Sequence, residues 1–403
     1  MQYPRTISAT QMRIINQSAV LELLRREPAI SRSDIGRKLH ISLPTVMRII
    51  DDLKERNLVV DLDKKEYSGG RRKQLLQFNQ KDNVVIGIDL GGMTIYAALA
   101  DIGGNICADQ KFALGDLADS ESELFTLLIQ IIHDFLDLAF QQGKKVLGVG
   151  IGAPGITRRE DGVVIWAPST LWRNFPLKKK IQDEFPELTI LVDNDANLAA
   201  LGEQWFGAGN NYRDIFFLSL GAGTGGAVIL DGMLYRGAHA AAGEVGSSLI
   251  GKESLAFVKE RYGALEMSAS GNGIIAMVRT ALKDQLSEAE LDAIDLEMIQ
   301  KAFVAGETWA SAVVYQLIDL IAVTIVNATS LIDPEVVILY GQVVDAFNQD
   351  NFLINTIKEK VQGLPPFNPM ITASLLGNKA VIMGTIIDVL YLTNNFFTVR
   401  ELN

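Results

Sequence analysis

The hydrophobic pattern of this 403-residue chain changes near Asn79. Before it, apolar residues recur at helical spacing and are separated by short polar turns. About ten residues after it, an apolar run ends in the glycine turn Asp89-Leu90-Gly91-Gly92. Helical periodicity followed by strands that end in glycine turns predicts two different kinds of domain in one chain.

The segment before this change predicts three helices and a two-stranded wing. Residues 10–26 have helical periodicity, and Ser31 and Ser42 are placed to cap two further helices. Leu58–Phe78 then alternates apolar and polar residues around a pair of glycines. This order is typical of a winged helix-turn-helix, whose second motif helix lies in the DNA major groove.

The residues expected to contact DNA lie at the start of the third helix and on the wing. Arg48 can contact guanine through two hydrogen bonds or hold a phosphate. The cations of the wing can enter the minor groove or follow the DNA backbone. The predicted set is Ser42, Leu43, Thr45, Val46, Arg48, Arg71, Arg72 and Lys73. The alternative is a three-helix domain whose solvated basic face contacts protein.

Charge is distributed unevenly along the chain, which has a net charge of −11. Residues 1–80 contain 15 Lys and Arg against 9 Asp and Glu, and the remaining residues contain 22 against 39. A basic head suits local binding of a polyanion, whereas the acidic remainder repels nucleic acid.

Cysteine content and hydropathy indicate where the protein works. Cys107 is the single cysteine, which excludes an internal disulfide framework and fits a reducing cytoplasm. The first residues are polar, so no signal peptide is expected. The apolar run Val313–Ile332 contains Gln316 and Asp319, which favours a buried helix over a membrane span. We therefore predict a cytoplasmic protein.

Strands and helices alternate after the junction, which predicts an α/β body. Apolar strands such as Val146–Ile151 and Ile215–Leu220 each run into a glycine-rich turn. Two lobes of this type would bind ligands in the cleft between them. The predicted domains are the winged head at 1–80, a first α/β lobe at 81–200, and a second α/β lobe with C-terminal helices at 201–403.

Five motifs behind the winged head resemble those of the ROK family, which groups sugar-responsive repressors and sugar kinases. The resemblance runs from about Ser18 to Leu392 and implies a two-lobed, actin-like sugar-kinase (ribonuclease H-like) body. Because of the head, the chain is similar to repressors of the xylose and N-acetylglucosamine type. The motifs are Asp89-Leu90-Gly91-Gly92, Gly152-Ala153-Pro154-Gly155, Asp193-Asn194-Asp195-Ala196-Asn197, Gly221-Ala222-Gly223-Thr224-Gly225-Gly226 and Ala242-Gly243-Glu244-Val245-Gly246.

The resemblance implies a sugar site in the cleft. Asp195 follows an apolar strand, where its carboxylate can accept hydrogen bonds from sugar hydroxyls; in a kinase it would also take the proton of the attacking hydroxyl. Ser169 stands at a family asparagine position, so the pocket could accept a different sugar. The expected set is Ser169, Asn194, Asp195, Glu244, Ser247 and Glu266. For any single acid, a helix cap or a solvated surface carboxylate is the alternative.

A structural zinc, held in many members of the family by one His and three Cys, is not expected here. The four ligand positions fall on Ser247, Phe257, Lys259 and Ala264. None offers a thiolate or imidazole, and lysine adds a repelling charge, so we predict that no metal or other cofactor is bound. Ser247 also replaces a histidine that contacts the sugar in the family. His239 is a candidate substitute, although an ordinary surface or capping histidine is the alternative.

The motifs that hold nucleotide phosphates in the family are also altered. Met93 and Ala222 stand where the two phosphate turns usually carry threonine, and Tyr340-Gly341-Gln342 replaces a glycine pair. Threonine hydroxyls orient phosphates, and glycine permits close backbone approach, so each change weakens ATP binding. The corresponding residues are predicted to form a vestigial nucleotide site: Asp89, Gly91, Gly92, Gly221 and Gly223.

These features predict a sugar-responsive transcriptional regulator, a repressor, with a carbohydrate or sugar phosphate in the cleft and no catalysis. It would bind a palindromic operator in double-stranded DNA as a homodimer or homotetramer. One alternative is an active ATP-dependent sugar kinase that carries a DNA-binding head and uses Asp195 in catalysis. Another is an architectural DNA-binding protein that ignores sugars.

Overall fold

The computed structural model has a winged head followed by a two-lobed α/β body. The structure describes residues 9–27, 29–68, 71–115, 120–170, 172–252, 254, 263–364 and 367–394.

The head forms because short polar side chains cap its helices where the sequence predicts. Ser31 Oγ accepts a hydrogen bond from the Asp34 amide (3.3 Å), and Ser42 Oγ accepts one from the Thr45 amide (3.4 Å). His40, with a φ of 54°, ends the second helix in the left-handed region. The elements are α1 (Ala9–Arg26), β1 (Ile30–Ser31), α2 (Arg32–Leu39), α3 (Leu43–Glu55), β2 (Val59–Ser68) and β3 (Arg71–Phe78).

The three strands of the head form an antiparallel sheet in the order β1-β3-β2, which confirms the predicted wing. Fully buried Leu21, Leu24, Ile35, Ile50 and Leu53 form its core.

The first lobe contains a five-stranded sheet and a smaller three-stranded sheet. In the large sheet the order is β11-β7-β4-β5-β6, with β4, β7 and β11 parallel, so the carboxyl ends of these three strands share one edge. The elements are β4 (Asn83–Leu90), β5 (Thr94–Asp101), β6 (Ile106–Ala113), α4 (Glu121–Gln141), β7 (Lys145–Ala153), β8 (Ile156–Arg158), β9 (Val163–Ala167), β10 (Trp172–Phe175), α5 (Leu177–Glu184), β11 (Ile190–Asn194) and α6 (Asp195–Phe206).

The second lobe contains a five-stranded sheet in the order β14-β13-β12-β15-β16, covered by helices. Strands β12, β15 and β16 are parallel. The elements are β12 (Ile215–Leu220), β13 (Thr224–Leu230), β14 (Met233–Tyr235), α7 (Ala264–Ala269), α8 (Gly271–Leu282), α9 (Glu288–Asp292), α10 (Leu296–Val304), α11 (Thr308–Ile332), β15 (Val336–Tyr340), α12 (Gln342–Phe347), α13 (Phe352–Val361), β16 (Met370–Ala373) and α14 (Ala380–Asn394).

The predicted boundary at residue 200 does not separate the lobes in space. It falls inside α6, and α14, which was assigned to the second lobe, packs on strands β4 and β7 of the first. Two glycines make room for it: a Cβ on Gly87 would lie 2.7 Å from Thr385 Oγ1, and one on Gly150 would lie 2.5 Å from Thr385 Cβ. The C-terminal part of the chain therefore packs on the first lobe, so a single boundary in the sequence does not separate the two lobes.

Helix α11 is the one helix among the described residues that is long and apolar enough to cross a membrane by length and composition. Its buried side, which includes Val314, Leu317, Ile321 and Ile325, packs in the core of the second lobe. This agrees with the prediction of a buried helix.

Candidate ligand cleft and nucleic-acid interface

The carboxyl end of β11 places Asn194 and Asp195 at the edge of the first lobe. Asn194 caps α6, since its Oδ1 accepts a hydrogen bond from the Asn197 amide (3.0 Å). Its Nδ2 donates to the Gly155 carbonyl (2.9 Å) and to Asp195 Oδ1 (3.1 Å). Asn194 is thus engaged within the protein as a cap that orients Asp195, while Asp195 itself is only half-buried.

The second lobe contributes Glu244 and Glu266. Glu244 precedes a 3-10 turn that spans Val245–Ser247, and Glu266 lies in the short helix α7. Glu266 Oε1 accepts a hydrogen bond from the Thr224 amide at 3.4 Å. A Cβ on Gly223 would lie 2.5 Å from the same oxygen, so Gly223 leaves the space that Glu266 occupies. A predicted nucleotide-turn glycine therefore also shapes the predicted sugar site.

Burial and mutual repulsion raise the pKa values of the cleft carboxyls. Burial raises the pKa of Asp195 to about 6. Burial, together with the charges of Asp195 and Glu266, raises the pKa of Glu244 to about 7. Burial and the charge of Asp195 raise the pKa of Asp89 to about 8. The structure thus brings together acids from both lobes. A ligand that donates several hydrogen bonds would stabilise the buried oxygens of these acids.

Three other residues predicted or considered for the sugar site lie around these acids. Ser169 Oγ is buried without a hydrogen-bond partner among the described residues, and Ser169 Cβ would lie 3.4 Å from a Cβ placed on Gly92. Ser169 therefore stands beside the first phosphate-type turn. Ser247 and His239 are both exposed. For His239 this agrees with the surface alternative.

The positions compared with the zinc ligands are only partly described. Ser247 and Ala264 are near each other, because a Cβ on the intervening Gly263 would lie 2.3 Å from Ser247 Cα. Neither residue offers a thiolate or imidazole, and Ala264 is buried. Phe257 and Lys259 lie outside the described residues. The two described positions, Ser247 and Ala264, therefore do not fit a zinc ion.

The glycine turns predicted to form the vestigial nucleotide site are closed by backbone hydrogen bonds. Gly91 donates its amide to the Thr94 carbonyl (3.0 Å), and Gly221 donates to the Gly223 carbonyl (2.9 Å). Met93 is 67% exposed. The Tyr340 ring packs on Phe217 with centroids 5.4 Å apart, where the family pattern has glycine.

A buried ion cluster that no sequence pattern indicated lies next to Asn194. Asp193 is fully buried and accepts two hydrogen bonds from Arg236, from Nε (3.2 Å) and Nη2 (2.6 Å). Arg159 lies 3.9 Å from Asp193 and also pairs with Asp388 of α14. Asp193 and Arg236 lie 43 residues apart in sequence, and Arg159 and Asp388 lie 229 apart, so no local spacing could indicate these pairs.

On α3 of the head, the prediction for Val46 is wrong. Val46 is fully buried with Ile49, Ile50 and Leu53, because it lies on the apolar side of the amphipathic helix. Ser42, Leu43 and Arg48 are exposed, and Thr45 is half-buried and in contact with Ser42 Oγ (2.8 Å). Met47, which was not predicted, is 48% exposed. The 3.6-residue period could have distinguished Met47 from Val46.

The predicted wing cations have different surroundings. Arg71 and Arg72 pair through their backbones with Ser68 and Tyr67, while their side chains are outside what the structure describes. Lys73 Nζ lies 3.3 Å from Asp34 Oδ2, so this cation is already paired within the head.

Comparisons with known proteins agree with this architecture. Residues 85–390 match the ROK family, and residues 15–60 match a winged helix-turn-helix DNA-binding domain. A xylose repressor of Caldicellulosiruptor bescii is 30% identical over 94% of this chain and 96% of its own length. A glucokinase of Halalkalibacterium halodurans is 30% identical over 75% of this chain and 94% of its own.

A solved structure supports the fold over the whole chain. A ROK family transcriptional regulator, a homologue of the Escherichia coli MLC protein, superimposes with a TM-score of 0.81 at 22% identity and covers 97% of this chain and 100% of its own. The match to the ROK family covers well over half of the sequence, and it begins after the DNA-binding domain. The chain belongs to the ROK family, with an N-terminal winged helix-turn-helix and a sugar-kinase-like body.

Proposed function

We propose that this protein is a sugar-responsive transcriptional repressor that acts in the cytoplasm and binds a carbohydrate or sugar phosphate in the interlobe cleft. The observation that carries the proposal is the combination of a winged DNA-binding head with a cleft where Asp195, Glu244 and Glu266 converge. Relatives with the same two-part organisation, such as the xylose repressor of C. bescii, support it.

Sugar binding follows from the chemistry of the cleft. Carboxylates accept hydrogen bonds from hydroxyls, and Asp195 is held in place through Asn194 and the Ala196 amide (2.8 Å). Glu266 is held from the other lobe by the Thr224 amide. A ligand that bridges these acids would draw the two lobes together, and the altered placement of the heads would change operator affinity.

We further propose that the cleft does not catalyse phosphoryl transfer. Met93 and Ala222 provide no hydroxyl for a phosphate, and Tyr340 brings a bulky ring to the end of β15. The vestigial site would then consist of glycine turns that retain their backbone geometry without the side chains that orient a nucleotide.

An active sugar kinase is the second candidate, favoured by Asp195 at the cleft edge and by the glucokinase relative. ADP release should be measured with ATP and a panel of D-xylose, D-glucose, N-acetylglucosamine and their phosphates. We expect no turnover. Turnover that Asp195→Asn abolishes would replace the repressor proposal with the kinase.

The sugar response is tested with the same panel in a thermal-shift assay. At least one sugar should raise the melting temperature and change affinity for a DNA duplex selected by the protein from a random-sequence pool. A melting temperature and a DNA affinity that no sugar changes would support the architectural alternative instead.

The heads are proposed to act in pairs, in a homodimer or homotetramer, on palindromic half-sites about one helical turn or a multiple of it apart. Arg71→Ala with Arg72→Ala should weaken DNA binding and flatten its salt dependence, because each phosphate contact releases counterions. An unchanged slope would show that the wing does not contact phosphate.

Metal analysis of the purified protein should find no stoichiometric zinc.

A further inference from the structure

The winged head contacts the body at the end of the helix that begins in the cleft. The Arg25 guanidinium of α1 lies 4.9 Å from the centroid of the Trp205 ring of α6, a cation–π geometry. Glu22 holds this guanidinium through two hydrogen bonds of 3.1 Å. Trp205 is 4% exposed, so the contact is packed rather than incidental.

Helix α6 links this contact directly to the predicted sugar site. It begins with Asp195 and ends at Phe206, and its 12 residues extend about 18 Å. A helix of this length moves as a rigid element, so a displacement of Asp195 is carried to Trp205.

The two ends of α6 are attached to different lobes. At its start, Asn194 donates to the Gly155 carbonyl of the first lobe. Near its end, fully buried Glu203 accepts hydrogen bonds from Ser374 Oγ and the Leu376 amide (2.9 Å) of the second lobe. Gln204 Nε2 donates to the Gly232 carbonyl (2.9 Å), also in the second lobe. The end that touches the head is therefore hydrogen-bonded to the second lobe, while Phe206 at the same end lies 3.0 Å from where a Cβ on Gly104 of the first lobe would be.

The head has another attachment, and this one belongs to the first lobe. The Asn57 carbonyl of the head accepts a hydrogen bond from Asn83 Nδ2 (2.8 Å) at the start of β4, and a second one from Asn79 Nδ2 (3.0 Å) in the segment between β3 and β4. The head is thus anchored to the first lobe at Asn57 and to the end of α6 at Arg25. A change in the angle between the lobes would move these two anchors relative to each other and turn the head.

We infer that Arg25 and Trp205 form the positioning contact through which a ligand in the cleft changes the placement of the DNA-reading head. The inference rests on the proposed function, since it requires DNA binding that responds to a sugar. Arg25 acts through Trp205 and α6 and touches neither sugar nor DNA in this role.

Arg25→Gln removes the cation, and Arg26→Gln is its matched control. Both arginines are on α1 and pair with Glu22, but the Arg26 side chain is 56% exposed, against 14% for Arg25. Arg25→Lys restores a cation over the ring, and Trp205→Phe keeps an aromatic ring of smaller area. The DNA probe is the duplex selected by the wild-type protein, and the sugar is D-xylose or, if it gives no thermal shift, the panel sugar with the largest shift.

The measured quantity is the factor by which the sugar changes the affinity for DNA. In the wild type and Arg26→Gln we expect a factor of about ten or more, and in Arg25→Gln a factor within about two. Arg25→Lys and Trp205→Phe should give intermediate factors. Because coupling is reciprocal, calorimetry should show that DNA no longer alters sugar affinity in Arg25→Gln, while sugar binding to the free protein persists.

The possible failures are distinguishable. If the wild type responds to the sugar and Arg25→Gln responds equally, the inference is overturned and the proposed function stands. If the wild type itself responds to none of the sugars, the proposed function fails and the inference fails with it. A loss of response in Arg26→Gln as large as in Arg25→Gln would show that the charge of α1, not the contact with Trp205, is responsible.

Discussion

The predicted sugar side and the predicted vestigial nucleotide side of the cleft are built on neighbouring strand ends, yet they hold different kinds of groups. On the sugar side, Asp195 and Glu266 have carboxylates fixed by backbone amides and backed by the buried pair Asp193–Arg236. On the nucleotide side, Met93 points largely into solvent. The glycine turn that carries it is nevertheless closed by a backbone hydrogen bond.

The backbone shape of the glycine turns and the chemistry of their side chains can therefore vary independently. The turns of the nucleotide side are part of the sheets and persist with them. Side chains that orient phosphates can change without disturbing those turns, whereas an acid such as Glu266 is held by the surrounding fold.

Breaking the buried ion cluster should have the largest effect. Arg236→Gln leaves the fully buried Asp193 with only the more distant Arg159, which should lower the free energy of unfolding by about 3–5 kcal/mol. The measurement is urea denaturation. Arg213→Gln is the control, since it removes an exposed pair with Asp231 and should cost about 0–1 kcal/mol. Equal small losses would mean that this cluster does not support the sugar side.

The raised pKa of Glu244 predicts a pH-dependent stability. The pKa rises from 4.5 in the unfolded chain to about 7 in the folded protein, so the stabilisation is complete below pH 4.5 and is lost as pH rises through 7. The free energy of unfolding should fall by up to about 3 kcal/mol across this window. Glu244→Gln should reduce this fall in the free energy of unfolding with pH. Glu187→Gln, at an exposed position, is the control and should leave the fall unchanged. A wild-type curve that rises over this range would contradict the burial of Glu244.

Removing the charge of Asp195 should weaken sugar binding without unfolding the protein. Each charge-assisted hydrogen bond contributes about 1.5–3 kcal/mol, so Asp195→Asn should lower sugar affinity roughly 10- to 150-fold in calorimetry. Asp183→Asn, which alters a carboxylate that is 62% exposed, should leave the affinity unchanged. An Asp195→Asn protein that binds as tightly as the wild type would remove Asp195 from the sugar site.

Restoring threonine on the nucleotide side should have the smallest effect. Met93→Thr with Ala222→Thr adds two hydroxyls to intact turns, and each should strengthen ATP binding by about 0.5–1.5 kcal/mol. Tyr340 remains in place, so we expect no turnover in the ADP-release assay. ATP binding by the wild type that the substitutions do not improve would show that these hydroxyls are not the missing groups.

Local patterns predicted the head and several strands of the body. Capping by Ser31 and Ser42 involves partners three residues away, so these helix starts can be read from short segments. The strand predicted at Ile215–Leu220 has the same bounds in the structure. The cleft residues came from motif positions, and their assignment to a sugar stays a prediction.

Contacts between distant segments could not be predicted in the same way. Lys73 was assigned to DNA, but it pairs with Asp34, 39 residues away. The packing of α14 on the first lobe and the contact between Arg25 and Trp205 depend on how the chain returns through space. Val46 was a different error, because its burial follows from the helical period and could have been seen.

Gly223 has a consequence for how such a cleft can change over time. A side chain at this position would collide with Glu266, whose carboxylate lies where a Cβ would be. As long as Glu266 is needed in this place, Gly223 cannot be replaced, whether or not the chain uses a nucleotide. A glycine inherited from one task can be retained by another, and its presence alone does not report that the first task is still performed.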